Sequence, residues 1–281
     1  MLSVVPSVPN PPSGPHIFSK QNTKQQVHLP GILGGLGPLA HIEFEKRLLH
    51  HSIHRGACRD QDHPDWVLLS AASTPDRTQW LLNKGTDCVP SLVHSARTLE
   101  MMGADFLVVT CNTAHAFYPV VQSHINIPWF HMMEATARHI ANHYPQIRQV
   151  GLLATDGTVR SQLYTKSLSQ YGLEVITPSV HSPTQKSIMQ SIYAPDWGIK
   201  SNCTVVSDRA LEELITAIHW LEHQGAELII AGCTELSVGL RAMASQSIKT
   251  MKIEWVDPLD TMAKITVDVA YRKCLPSAIA V

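Results

Sequence analysis

The sequence of 281 residues has almost no net charge, because 22 lysines and arginines oppose 23 aspartates and glutamates. A protein that binds nucleic acid or an anionic membrane surface usually carries a basic excess, so neither partner is expected. No apolar run approaches the roughly 18–20 residues of a membrane-spanning helix. A hydrophobic fraction of 44% over this length indicates one large or two medium globular domains.

Cysteine is scarce and irregularly spaced. The six cysteines include no C-x-x-C pair, which excludes the usual structural zinc site and a disulfide framework. The sixteen histidines include no H-E-x-x-H motif. His50, His51 and His54 share a face if their segment is helical, but no cysteine or paired acid stands nearby, so we predict no metal. Free thiols are typical of a reducing compartment, and we expect a cytoplasmic protein.

Regular structure is not expected in residues 1–29. Five prolines stand there among Ser, Asn, Gln and Lys, a composition that opposes helices and strands. The segment also lacks the basic and apolar stretches of a secretory signal. We predict a flexible tail at 1–29, a first domain at 30–145 and a second at 146–256. A terminal helix at 257–275 is expected to complete the first domain.

One sequence motif occurs twice in the chain. Residues 99–111 read LEMMGADFLVVTC and residues 221–233 read LEHQGAELIIAGC, so that Leu, Glu, Gly, Ala and Cys recur at an offset of 122. Each copy ends an expected helix, turns at Gly-Ala and continues as an apolar strand that leads to a thiol. Cys111 and Cys233 therefore stand at matching points of two similar halves. This indicates one site between the halves, with a thiol on each side.

Short apolar runs alternate with segments of helical periodicity along the whole chain. We predict strands at 28–33, 67–70, 106–110, 127–130, 149–154, 174–177, 228–231 and 252–256. Helices are predicted at 40–52, 91–102, 159–171 (capped by Thr158), 208–224 and 234–244, and a polar loop up to Lys200. This alternation predicts an α/β fold of two similar, doubly wound parallel sheets, with the site in the cleft between them.

The residues around the two cysteines suit an anionic ligand. Each thiol precedes a predicted helix, whose N-terminal field favours anions and lowers a thiol pKa. The adjacent Asn112, Thr113 and Thr234 are hydrogen-bond donors, although both threonines also suit simple helix capping. Glu235 is expected to orient a neighbouring group, to bind a substrate ammonium or to complement the helix N-terminus. We give these interpretations equal weight.

Residues 34–38 read GGLGP, which satisfies neither common nucleotide-binding motif. The glycines of this loop nevertheless permit close approach of the backbone to a small ligand. No lysine is marked out for a Schiff base, so pyridoxal phosphate is not expected. We predict no cofactor.

Three segments taken together resemble the aspartate/glutamate racemase superfamily, and most closely its cofactor-independent aspartate racemase branch. They are GILGGLGP at 31–38, VVTCNTAHA at 108–116 and IIAGCTELS at 229–237. RDQDH at 59–63 and TPDRT at 74–78 support the likeness. The resemblance covers about residues 30 to 270. One departure is Leu36, where methionine is common in this branch.

The resemblance implies a homodimer of two-domain chains with pseudo-twofold symmetry that interconverts L- and D-aspartate without a cofactor. One of the two thiols would remove the α-proton as a thiolate, and the other would supply a proton to the opposite face. Further substrate-binding residues implied by the resemblance are Leu36, Gly37, Arg59, Asn112, Thr113, Ala114, Lys200 and Thr234. Arg59 and Lys200 are expected to meet the side-chain carboxylate.

Several alternatives stay open at this point. Within the superfamily the substrate is alternatively glutamate, another amino acid or a hydantoin. A non-catalytic amino-acid-binding protein is a different class, disfavoured because binding alone has no need of paired thiols. A thiol hydrolase would need a Cys-His pair, for which only His115 is near Cys111 in sequence. Met101, Met102 and Trp129 are candidates for a dimer interface.

Overall fold

The computed structural model describes residues 26–202, 205–245 and 253–272, so most of the predicted tail, residues 1–25, lies outside the described residues. Lys252 and residues 273–275, at the ends of the last predicted strand and helix, lie outside them too. The last residues of the predicted tail are held in place. The backbone N–H groups of Val27 and His28 donate to the carbonyl of Ala270 at 2.8 and 3.1 Å.

Seven strands and eleven α-helices are found in the described residues. The strands are β1 (Pro30–Gly34), β2 (Val67–Ser70), β3 (Phe106–Val109), β4 (Gln149–Ala154), β5 (Glu174–Ile176), β6 (Leu228–Gly232) and β7 (Glu254–Val256). The helices are α1 (Pro38–His54), α2 (Arg77–Leu81), α3 (Val89–Met101), α4 (Tyr118–Gln122), α5 (Met132–His143), α6 (Asp156–Ser161), α7 (Leu163–Ser169), α8 (Pro183–Tyr193), α9 (Asp208–His223), α10 (Thr234–Ser245) and α11 (Pro258–Ala270).

The strands form two parallel sheets with the same order. The first sheet runs β2-β1-β3 and the second runs β5-β4-β6-β7. The predicted strand at 127–130 is reduced to a parallel bridge between Trp129 and Leu107 of β3, at the place that β7 occupies in the second sheet. The strand order therefore repeats from one half to the other, which confirms the predicted α/β class of two similar parallel sheets.

Three hydrophobic cores place helices on both faces of each sheet. A central core combines Ile32 of β1, Leu152 of β4 and Met262 of α11, so it belongs to both halves. A second core covers the other face of the first sheet and includes Leu99 of α3. A third covers the outer face of the second sheet and includes Leu214 of α9. The shared central core joins the two sheets into one packed unit.

The repeated sequence motif has the same structural role in each half. Gly103 and Gly225, which follow α3 and α9, have φ of +92° and +94°. These are left-handed values that glycine adopts without steric strain at a helix end. Two residues later, Asp105 and Glu227 accept backbone hydrogen bonds at the start of the first strand of their half. Local backbone geometry thus explains most of the repeat, but it assigns no structural role to the two thiols.

Glycine in the first strand of each half allows the helix to pack closely. A Cβ added to Gly31 would lie 2.7 Å from the Cβ of Ala104, and one added to Gly151 would lie 3.0 Å from the Cβ of Ala226. Both separations are shorter than ordinary contacts between carbon atoms. The Gly-Ala turn that ends each repeated helix therefore rests directly on the glycine of β1 or β4.

The terminal helix α11 packs against α1 and α5. Its N-cap, Asp257, accepts from the Leu259 N–H at 3.0 Å. The same carboxylate meets the Arg47 guanidinium of α1 at 2.7 Å and the Ser237 hydroxyl of α10 at 2.9 Å. Asp257 and Arg47 are both buried. This buried ion pair ties elements of both halves to the last helix.

Several sequence predictions are wrong in detail. The predicted polar loop before Lys200 contains α8, which Ser182 caps through a hydrogen bond from the Gln185 N–H. The predicted helix at 159–171 is divided into α6 and α7 at Gln162, whose φ is +54°. Its N-cap is Thr155 rather than Thr158, because the Thr155 side chain accepts from the Thr158 N–H.

Burial corrects one of the interface candidates. Trp129 is fully buried, and its indole N–H donates to the Nε2 of His115 at 3.2 Å, so the prediction that it lies in an interface is wrong. Met101 is 69% exposed. Among the described residues, no helix combines the length and the apolar character needed to cross a membrane.

Candidate active site

A small cavity lies between the two halves at the carboxyl ends of the strands, where parallel sheets commonly bind ligands. Both Cys111 and Cys233 line it, as the repeat predicts. The other lining residues come from loops and helix ends of both halves: Leu36, Asp76, Arg77, Thr78, Asn112, Thr113, Thr155, Tyr193, Lys200, Thr234 and Glu235.

Cys111 lies beside a guanidinium. The thiol follows β3, and the backbone carbonyl of Cys111 is 2.9 Å from the Nδ1 of His115. The Arg77 side chain forms a hydrogen bond with the Cys111 sulfur. Burial alone would lower the pKa of Arg77, but the Cys111 thiolate raises it, together with Asp76. The guanidinium is also held by the backbone carbonyl of Leu36. A fixed positive charge therefore faces the first thiol.

Cys233 lies beside a carboxylate. It follows β6 directly before α10, and its thiol donates to the Oε2 of Glu235 at 3.0 Å. The Oε1 of Glu235 accepts from the Nζ of Lys200 at 2.6 Å. Burial raises the pKa of Cys233 well above its usual value, and the Glu235 carboxylate raises it further. The second thiol is therefore held in its protonated form.

Lys200 and Glu235 form a buried ion pair. Burial opposes both charges, yet the attraction of Glu235 raises the pKa of Lys200, and Lys200 lowers the pKa of Glu235. The Glu235 side chain is 5% exposed and that of Lys200 is 26% exposed. A Cβ on Gly37 would lie 2.9 Å from the Lys200 Nζ, so the glycine-rich loop contacts this pair directly.

The two thiols thus occupy oppositely charged surroundings. The sequence predicts that helix N-termini lower the pKa of both thiols. For Cys233 that prediction is wrong, because burial and the neighbouring Glu235 carboxylate raise its pKa well above the usual value. Cys111 is followed only by a 3₁₀ helix of five residues, Thr113–Phe117. Side chains, rather than helix termini, set the electrostatic difference between the two sides.

Two buried donors near Cys111 have no hydrogen-bond partner among the described residues. They are the Nδ2 of Asn112 and the Nε of Arg77. The Asn112 amide is oriented by Tyr164, whose hydroxyl donates to the Oδ1 at 2.6 Å. Unpaired buried N–H groups are rare because they lose their hydration without compensation. The pair is suited to an anionic ligand such as a carboxylate.

Threonines join the two halves next to the cavity. The Oγ1 of Thr113, from the first half, lies 3.1 Å from the Oγ1 of Thr155 and 3.0 Å from that of Thr158. All three side chains are buried. Thr113 therefore bridges to the start of α6, and Thr234 lines the opposite side of the cavity at the start of α10.

The structure does not bring every predicted residue to the cavity. Arg59 lies on the surface, with its side chain 72% exposed and 3.4 Å from the Oδ1 of Asp62. Ala114 is fully buried in the second core and is not among the lining residues. The guanidinium in the cavity belongs to Arg77, which the sequence singled out only as part of the TPDRT segment.

A separate histidine cluster lies away from this cavity. Ligand atoms of His50, His51 and Asp260 lie within 4.8 Å of one another, and none of these residues lines the cavity. The Oδ1 of Asp260 is 3.2 Å from the Nε2 of His51 and 3.7 Å from the Arg241 guanidinium. A cation thus already neighbours the carboxylate that a metal ion would use.

Residues 33–266 match the family model described as Asp/Glu/Hydantoin racemase. The chain belongs to this racemase family. Its members' reaction inverts a stereocentre, so the chain is an isomerase. A broad-specificity amino-acid racemase, RacX of Bacillus subtilis (strain 168), is 28% identical over 238 residues, which cover 84% of this chain and 96% of that protein.

Solved racemases share the fold. An aspartate racemase from Picrophilus torridus has a TM-score of 0.71 at 24% identity, covering 90% of this chain and 98% of that chain. A glutamate racemase from Francisella tularensis in complex with D-glutamate has a TM-score of 0.57 at 15% identity, covering 90% of each chain. At these identities the likeness establishes the fold of this racemase family member and leaves its substrate open.

Proposed function

We propose that this chain is a cofactor-independent racemase that interconverts L- and D-aspartate by proton transfer between Cys111 and Cys233. The observation that carries the proposal is the placement of both thiols on one cavity between the halves, with opposite charges beside them. A cavity used only for binding has no need of two such thiols. Membership of the racemase family supports the same reaction class.

The charges beside the thiols distinguish their proposed roles. The Arg77 guanidinium lies beside Cys111, the proposed first base, whereas Glu235 and burial keep Cys233, the proposed first acid, protonated. The Cys111 thiolate takes the α-proton as the Cα–H bond breaks, and its electron pair is delocalised into the substrate carboxylate. The Cys233 thiol then gives its proton to the opposite face of Cα. The step leaves one thiol and one thiolate, with no change in oxidation state.

The substrate carboxylate is proposed to bind the donors without partners, Asn112 Nδ2 and Arg77 Nε. Negative charge that develops on this carboxylate during proton removal is stabilised by preorganised donors in a site with little water. Thr113 and Thr234 are further candidates for contacts with the substrate. Lys200 is proposed to bind a side-chain carboxylate of the substrate, which would replace its partner Glu235.

A broad-specificity amino-acid racemase is the second candidate. It is favoured by the match to the Bacillus subtilis RacX protein over nearly its whole length. We also propose a homodimer in a reducing, cytoplasmic setting, consistent with four free cysteines among the described residues. Light scattering after size-exclusion chromatography tests the oligomeric state.

The test is incubation of purified protein with L-aspartate in deuterated water, without pyridoxal phosphate. D-aspartate that carries an α-deuteron supports the mechanism. Cys111→Ala and Cys233→Ala should each abolish racemisation, whereas Cys58→Ala, at an exposed thiol, serves as the matched control. Full activity in either cavity variant, or no exchange with any common amino acid, overturns the proposal.

A further inference from the structure

A second, larger cavity adjoins the one that holds the thiols. It measures about 590 Å³, within the range of pockets that hold small organic ligands. The two cavities share Asp76, Thr78 and Tyr193 as lining residues. The larger cavity is therefore the immediate continuation of the reaction site, and we refer to it as the outer cavity.

The boundary between the two cavities consists of side chains. Thr78 belongs to α2 of the first half and Tyr193 ends α8 of the second. Their side chains are hydrogen-bonded to each other. The Lys200 Nζ lies over the Tyr193 ring, 5.6 Å from the ring centroid. The boundary is therefore a contact between two side chains and not a part of either sheet.

The walls of the outer cavity are mainly apolar. Met189, Ala194 and Trp197 form much of the lining together with the Tyr193 ring. Charged groups lie at the exposed edge, where the Arg209 guanidinium stacks on Trp197 at 4.4 Å from the ring centroid. Apolar walls with a few polar groups at the rim favour an uncharged, bulky ligand group.

The charge at the boundary disfavours the passage of an acidic group into the outer cavity. Asp76 lies at the junction, and its carboxylate caps α2 by accepting from the Gln79 N–H at 2.8 Å. Arg77 and Lys200 line the inner cavity and lie near the thiols. A carboxylate that extends outward would leave both cations and would have to pass Asp76 before it came near Lys186 and Arg209, the exposed cations that also line the outer cavity.

We infer that the outer cavity is the subsite for the side chain of the amino-acid substrate, and that it admits long aliphatic and aromatic side chains. The substrate range then extends beyond aspartate to amino acids such as methionine and phenylalanine. With Cα between the thiols, such a side chain passes Thr78 and Tyr193 and contacts Met189 and Trp197. This inference rests on the proposed racemase function.

The experiment compares α-proton exchange in deuterated water for aspartate, alanine, methionine and phenylalanine, followed by proton NMR. Wild-type protein should exchange methionine and phenylalanine faster than alanine, because the outer cavity binds their side chains. Gln190→Trp places bulk in that cavity from α8. It should reduce kcat/KM for phenylalanine by at least about tenfold, the scale of discrimination in an apolar subsite, and leave alanine within about twofold.

Gln170→Trp, at an exposed position after α7, introduces the same side chain away from both cavities and should leave all four substrates unaffected. Exchange of aspartate or alanine alone keeps the racemase proposal and overturns this subsite. Equal loss for alanine and phenylalanine in Gln190→Trp also overturns it. Absence of exchange with all four substrates contradicts the proposed function itself.

Discussion

The hydroxyl of Tyr164 donates a 2.6 Å hydrogen bond to the Oδ1 of Asn112, and this bond fixes which end of the amide faces the cavity. Burial raises the pKa of Tyr164 well above its usual value, so the phenol stays protonated and can only donate to this acceptor. The Nδ2 of Asn112 is left as a buried donor without a partner among the described residues. Tyr164 is therefore a positioning residue for the proposed carboxylate contact.

Tyr164→Phe keeps the buried ring and removes only the hydroxyl. The Asn112 amide is then free to flip, and its Oδ1 loses its donor, a change worth about 1–3 kcal/mol. We expect KM for the amino acid to rise about tenfold, with a smaller change in kcat. Initial-rate kinetics measure the split, and Tyr171→Phe, at an exposed tyrosine, is the matched control. A pure fall in kcat with unchanged KM would contradict this role.

The carboxylate beside Cys233 provides a second prediction. Glu235 raises the pKa of the Cys233 thiol and accepts its hydrogen bond. In Glu235→Gln that contribution is lost, while the Lys200 ammonium remains and favours the thiolate. The pKa of Cys233 should fall, and racemisation should slow because the proton donor is no longer kept protonated.

The direct measurement is the pH dependence of iodoacetamide labelling at Cys233, followed by peptide mass spectrometry. In Glu235→Gln the rise in labelling should occur at lower pH than in the wild type. Glu227→Gln removes a carboxylate that caps a strand far from the thiol and should leave the profile in place. An unchanged profile in Glu235→Gln would mean that burial alone holds the thiol protonated.

Two buried histidines behind Cys111 make the fold sensitive to acid. Burial lowers the pKa of His115 to about 3 and that of His131 to about 4, against 6.5 in an unfolded chain. Below pH 6.5 the unfolded chain binds protons that the folded protein excludes. Each histidine therefore contributes stability that is complete above pH 6.5 and is lost as pH falls, at about 1.4 kcal/mol per pH unit.

Urea unfolding at pH 7.0, 6.0 and 5.0 tests this dependence. The free energy of unfolding should fall by up to about 2.8 kcal/mol per pH unit in the wild type. His131→Gln should fall about half as steeply over the same range, because one of the two buried groups no longer titrates. His143→Gln alters an exposed histidine and should retain the wild-type slope. Equal slopes in all three proteins would exclude the buried pair as the cause.

The fold was largely predictable because its signals are local. Apolar runs of four to six residues became β2, β4 and β6 within one residue of the predicted ends. The two thiols followed from the repeat, since matching strands in matching sheets end at the same edge. Even α8 carried a local signal, because Ser182 and Pro183 open it and Ile188 and Ile192 share a face in the third core.

The side chains that complete the site were less predictable because tertiary packing places them. Arg77 is the first residue of α2, and its guanidinium donates to carbonyls of the preceding loop and of Leu36. Arg59 carries the same charge but pairs with Asp62 on the surface. Spacing along the chain does not distinguish these two arginines. The carboxylate beside Cys233 is likewise held by a distant residue, because Glu235 pairs with Lys200, 35 residues away.

The packing that underlies the repeat provides the last prediction. Gly31→Ala brings a methyl group to 2.7 Å from the Ala104 Cβ, and Gly151→Ala brings one to 3.0 Å from the Ala226 Cβ. Overpacking of this kind costs about 1–3 kcal/mol, so both variants should be less stable, Gly31→Ala more so. The compensating pair Gly31→Ala with Ala104→Gly moves the methyl group across the contact and should recover part of the loss.

Urea unfolding measures the stability of each variant. Gly172→Ala, at φ +69° with no heavy atom within 4 Å, controls for backbone strain alone, at about 1 kcal/mol. If Gly31→Ala were no less stable than Gly172→Ala, close packing of helix on strand would not be what the repeated Gly-Ala turn requires.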